Sequence, residues 1–269
     1  MTINSFYAII HKMKNKAKVI KEKKYLTPLY ITIGVIFLLI LFEVIAHIIS
    51  TPVFPPLEKI IPAIGKLFTL KRFYLSFIAT LVKLLVTALI SSILGLILGL
   101  ISASYERFKN ILKPLMSFLK SFPTVCLVLV LVALTKITEI VVLVFIILPI
   151  VYEAVTNSAL EIGKRYNDDL LVDNIKTSSK ILNVLLPLTL PSFFVSILQS
   201  LGLGLKALIM AEVLVGTTSR YGLGNMLNNA YINSNFTRMF ALAFVSLIIV
   251  LGLDVLLTFI KGRIEKKIS

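Results

Sequence analysis

The chain has 269 residues, of which 58% are hydrophobic and only 15% charged, with a formal net charge of +15. A soluble domain of this size carries more charge, so the composition excludes that class and leaves an integral membrane protein. One cysteine, Cys126, excludes an internal disulfide, and two histidines, His11 and His47, are too few for a metal cluster.

Residues 1–27 form a basic tail, with seven lysines and one acid, Glu22, before Leu26. No small-residue cleavage site precedes the apolar run, and the tail reads as lying near anionic lipid. Leu29–Ile49 is long enough to span about 30 Å of hydrocarbon. Glu43 and His47, four apart near its far end, read as an interfacial pair on one helix face. Phe54–Leu70 is no span. Leu57, Ile60, Ile61, Ile64, Leu67 and Phe68 make one apolar stripe against Glu58, Lys59 and Lys66, which predicts an amphipathic helix in the interface. Phe73–Ile101 is the second span. Gly95 and Gly99 form a small-xxx-small pair that admits a close neighbour, and Lys83 is expected to snorkel.

Ser104–Leu112 reads as a polar loop. Pro114–Leu134 is the third span, kinked at Pro123. Glu139–Leu160 is the fourth. Residues 161–187 form a polar connection, with a short helical element at Asp168–Pro187 ended by its prolines. Leu188–Gly216 is the fifth span, Thr217–Thr237 a polar connection and Phe240–Ile260 the sixth span, followed by a basic tail. The tails and even-numbered connections hold 19 Lys and Arg, and the other side holds seven. The positive-inside rule then places both termini and the 161–187 loop in the cytoplasm. This distribution explains the basic balance without nucleic acid.

Two sets of residues carry a family resemblance. Leu186-Pro187, with Val184, resembles the end of the Glu-Ala-Ala…Gly…Ile-x-Leu-Pro coupling loop of ABC importer permeases. Counting back puts Asn174 at the Gly and Asp168 at the Glu, while the alanines are absent. Matching Asp169-Leu170-Leu171 to the family's D/E-L-L leaves the loop one turn short. Ala211-Glu212…Gly216 and Tyr221-Gly222-Leu223-Gly224 resemble the AE…G…GLG pattern of nitrate/sulfonate/taurine-type permeases. Phe42-Glu43 and Val53-Phe54-Pro55-Pro56 agree. The resemblance covers residues 28–269. It implies a type I ABC importer permease fold, all-α with about six spans. It also implies a homodimer, separate cytoplasmic ATPase subunits and an extracytoplasmic substrate-binding protein, with a small anionic, sulfonate-, nitrate- or pyrimidine-like solute. Asp168, Asp169, Leu170, Leu171, Asn174, Ile175 and Thr177 would contact the ATPase.

In the fifth span Ser192, Ser196, Gln199, Gly202 and Lys206 recur at helical steps and form one polar stripe. The stripe reads as pathway lining or as small-residue packing. Lys206 has no carboxylate at i±3 or i±4 and is expected to attract an anion. Glu212 lies off the stripe, and a structural or gating role is favoured over substrate contact. The spans hold no paired carboxylates, Ser–Lys couple or metal set for an enzyme, and no P-loop occurs, so neither catalysis nor a cofactor is expected. A secondary transporter or channel is the alternative, and it would need no coupling loop.

Overall fold

In the computed structural model, residues 30–135, 137–166, 177–216 and 221–268 are described, and all regular structure among them is helical. The chain divides into two compact units, Met1–Lys59 and Ile60–Ser269. In the first unit, helix α1, Tyr30–Ile49, presents exposed apolar side chains such as Ile33, Phe37, Ile40 and Val44, the surface of a lipid-facing span. At its end the Phe42 and Phe54 rings stack with centroids 4.7 Å apart. Leu57 N–H donates to Glu43 Oε2 at 2.8 Å, so this carboxylate caps the next helix, α2, Leu57–Leu67. Glu43 also lies 3.5 Å from His47, as the spacing predicts.

The second unit is built on α3 (Lys71–Ser104), α6 (Thr138–Arg165) and α7 (Thr177–Val215), with α9 (Phe236–Ile268) against α7. Between them lie α4 (Glu106–Ser121), α5 (Thr124–Leu134) and α8 (Leu223–Ile232). Among the described residues five helices are long and apolar enough to cross a membrane, or six when α4 and α5 count as one broken span. Leu84, Leu143, Ile147, Val151, Val155, Leu205 and Leu208 interlock where α3, α6 and α7 meet. The Gly95/Gly99 pair sets the α3–α6 approach. A Cβ on Gly95 would stand 2.9 Å from Val151 Cβ, and one on Gly99 2.8 Å from Val155 Cγ1. At such separations the backbones touch and dispersion contacts replace side-chain volume.

Several sequence expectations are corrected. Pro123 does more than kink a span: α4 and α5 meet at 98° across Phe122 and Pro123. Residues 106–112 are the start of α4, not a loop. The 161–187 connection is shorter than its polarity suggests, because α6 runs on to Arg165 and α7 begins at Thr177. Pro187 does not end the helix. Leu186 N–H bonds to Ile181 O, five residues back, and this wide turn over Ile181–Leu185 sits just before the proline. A widened turn relieves the clash that a proline ring makes with the preceding turn. Residues 261–268, expected as a tail, continue α9. The 217–237 connection contains α8, whose Leu223, Met226 and Ala230 are buried at helical spacing.

Candidate functional site

Two polar constellations lie on α7, one shut inside the protein and one open. The closed one begins at Glu212, fully buried near the helix end. Thr80 Oγ1 of α3 donates to its carboxylate at 2.9 and 3.0 Å. Lys83 Nζ, one turn on, donates to Glu212 Oε1 and to Glu139 Oε1 of α6, each at 3.2 Å. Lys83 Nζ also reaches Tyr221 O at 3.4 Å. Lys83 therefore does not snorkel. It spends its charge between two carboxylates, since a buried cation is tolerable only when paired and hydrogen-bonded. Sequence reasoning missed this pairing because the three residues lie on three helices, 56 and 129 positions from Lys83.

The same carboxylate holds the turn before α8. Gly224 N–H donates to Glu212 Oε2 at 3.0 Å, and Leu223 N–H to Thr80 Oγ1 at 3.0 Å. A Cβ on Gly222 would meet the Glu212 carboxylate at 2.5 Å, and one on Gly224 would run into Ile209 O. The AE…G…GLG pattern thus has a steric cause at each position. Ala211 packs flat against Leu127, Val128 and Val142, Glu212 receives the turn, Gly216 ends the helix at φ +67°, and two glycines let backbone touch carboxylate. Asn225 and Asn228 donate to Gly216 O and Val213 O, tying α8 to the end of α7. Glu212 thereby joins α3, α7 and the turn before α8 through its two carboxylate oxygens.

The open constellation is part of the predicted stripe. Ser196 is buried and donates to Phe193 O of its own helix, and Ser192 is half-buried. Gln199, Gly202 and Lys206 line a pocket of about 370 Å³ with Asp254, Thr258 and Lys261 of α9. Lys206 is not the unpartnered cation expected from α7 alone: its Nζ lies 2.8 Å from Asp254 Oδ2. A Cβ on Gly202 would meet Asp254 Oδ1 at 2.6 Å, so the missing side chain is what lets the acid approach. The pair is about half exposed, at 51% and 35% for the two side chains. Where water reaches it, an ion pair this exposed contributes only about 0–1 kcal/mol. Lys206 also borders a second pocket of about 470 Å³ at the α4–α5 break, with Phe122, Thr124, Phe145 and Met210. Lys120, on its rim, pairs with Glu153 at 2.6 Å.

Of the expected ATPase-contact residues, Asp168, Asp169, Leu170, Leu171, Asn174 and Ile175 lie outside the described residues. Thr177 is the exposed first residue of α7. Among the described residues no cluster of His, Cys, Asp and Glu could hold a metal.

Two chains from crystal structures of the MetNI methionine ABC transporter in inward-facing conformations share this fold. One superposes with a TM-score of 0.54 at 20% identity, over 70% of this chain and 93% of that one. The other gives 0.56 at 19% identity, over 73% and 97%. No curated protein matches the sequence. Residues 91–269 match the model of the "binding-protein-dependent transport system inner membrane component" family, and the chain belongs to that family.

Proposed function

We propose that this family member is the permease subunit of an ATP-driven importer, forming the solute pathway and coupling to a separate ATPase. The observation that carries this reading is Lys206. It stands within a span, half exposed, between two open pockets, and is paired with Asp254 at 2.8 Å. A small solute bearing an anionic group, such as a sulfonate or nitrate, would compete with Asp254 for Lys206. Gln199 and Thr258 supply further hydrogen bonds around the pair. Two copies would enclose the pathway, with a substrate-binding protein delivering the solute outside. Because the chain carries no P-loop, the energy enters from an ATPase that binds one permease state better than the other. The 161–187 segment is the proposed contact, and Leu170, Leu171 and Ile175 are its apolar anchors.

The test is uptake by the reconstituted complex with binding protein and ATP. Lys206→Met should lower uptake while the ATPase stays bound. Leu170→Ser/Leu171→Ser/Ile175→Ser should release the ATPase and abolish uptake while the chain still inserts. Normal uptake by both variants would refute the pathway and the coupling together. Solute movement by the lone chain would favour a channel or secondary transporter.

A further inference from the structure

The corner where α2 ends, α3 begins and α9 begins holds a pocket of about 480 Å³. Its wall carries two cations, Lys66 and Arg238, and no acid. Among the described residues neither side chain makes an ion pair. Arg238 Nε is shut off from water and has no hydrogen-bond partner. A guanidinium donor in that condition is costly unless an acceptor comes from outside the chain. Thr69, Thr237 and Asn235 bring hydroxyl and amide groups to the same wall. Asn235 Oδ1 accepts Arg238 N–H at 3.1 Å and so caps the start of α9.

We propose that this pocket binds a phosphate group, and that its occupant is the headgroup of an anionic phospholipid. Phosphate matches the donors: a planar guanidinium fork, an ammonium, the Thr237 hydroxyl and the Asn235 amide on one wall, with no carboxylate to repel it. The lipid source follows from what surrounds the cations. Leu70 lines the pocket, and Ile61 of α2 and Phe68 just past its end are exposed. An amphipathic helix of this kind lies at the boundary between headgroups and acyl chains. A free anion would use the cations alone, whereas a lipid uses the cations for its phosphate and the apolar residues for its chains. With the loops oriented by their lysines, the corner faces the outer leaflet. It is separate from the Lys206–Asp254 pair and independent of any solute pathway.

The experiment is native mass spectrometry of the full-length protein released from nanodiscs of equal parts phosphatidylglycerol and phosphatidylcholine. Wild type should retain phosphatidylglycerol in preference. Lys66→Gln, which alters an exposed residue and leaves the fold intact, should lower that retention about tenfold, the effect of one charge-assisted contact. Arg238→Gln should lower it at least as far. Lys71→Gln/Arg72→Gln, which removes two nearby exposed cations that do not line the pocket, should leave it unchanged. Equal retention of the two lipids would overturn the proposal. So would a loss in the Lys71/Arg72 control equal to that in Lys66→Gln, because the attraction would then be general surface charge. Binding of inorganic phosphate in detergent without lipid preference in nanodiscs would overturn the lipid assignment.

Discussion

Glu212 shows how one side chain can hold four parts of a fold. Its carboxylate accepts from Thr80, Lys83 and Gly224, so α3, α7 and the turn before α8 meet on two oxygen atoms, and Lys83 extends the network to Glu139 on α6. Removing one member leaves charge without compensation. Lys83→Met leaves two buried carboxylates facing each other and should destabilise the chain by about 3–5 kcal/mol. Thermal unfolding in detergent, followed by fluorescence-detected size exclusion, would measure it. An unchanged midpoint would mean that the network carries no stability. Thr80→Val removes one neutral donor to a buried carboxylate and should cost less, about 1.5–3 kcal/mol. The AE…G…GLG residues were visible in the sequence as a pattern. Their cause was not, because Thr80 and Lys83 lie more than a hundred residues away.

At the scale of elements, α3 and α6 form a close-packed joint. Gly95 and Gly99 meet Val151 and Val155 with no room for a side chain. Tyr152 Oη donates to Ser102 Oγ at 3.0 Å, adding a polar tie near the end of α3. Gly95→Leu should force the helices apart and cost about 1–3 kcal/mol or more, as overpacking does in a close-packed core. Gly34→Leu is the control, since no atom lies within 4 Å of a Cβ there. Parallel loss of folded protein in both variants would show that the damage is not specific to the joint. The spacing of the two glycines was readable in the sequence, but the partner helix was not. Conversely, the sequence reads Pro123 as a kink and Pro187 as a stop; the bend at Pro123 is there but is a full break of 98°, while the helix runs on through Pro187. What a proline does depends on whether its neighbours leave its i−4 carbonyl room, and here a break and a widened turn solve the two cases differently.

At the scale of the molecule, the orientation rests on lysine and arginine counts alone. Cysteines placed in a Cys126-free background test it. Ser178→Cys should be labelled only by reagent on the cytoplasmic side, and Asn228→Cys only from outside. The reverse pattern would turn the whole chain over, and would place the Lys66–Arg238 corner in the inner leaflet. Membrane class, the approximate spans and the amphipathic helix after the first were all determined by the sequence. Hydrocarbon excludes unpaired polar groups so strongly that a run of apolar residues has few alternatives. Helix ends were less legible, as at 106–112 and 261–268, because helical structure continues past the apolar run once neighbours support it. Pairings between helices were decided only by the tertiary structure. Lys83 reads as a snorkelling lysine and Lys206 as a lone cation when each is judged on its own helix. Their acids stand on other helices, at Glu139, Glu212 and Asp254, and no period along the chain encodes that distance.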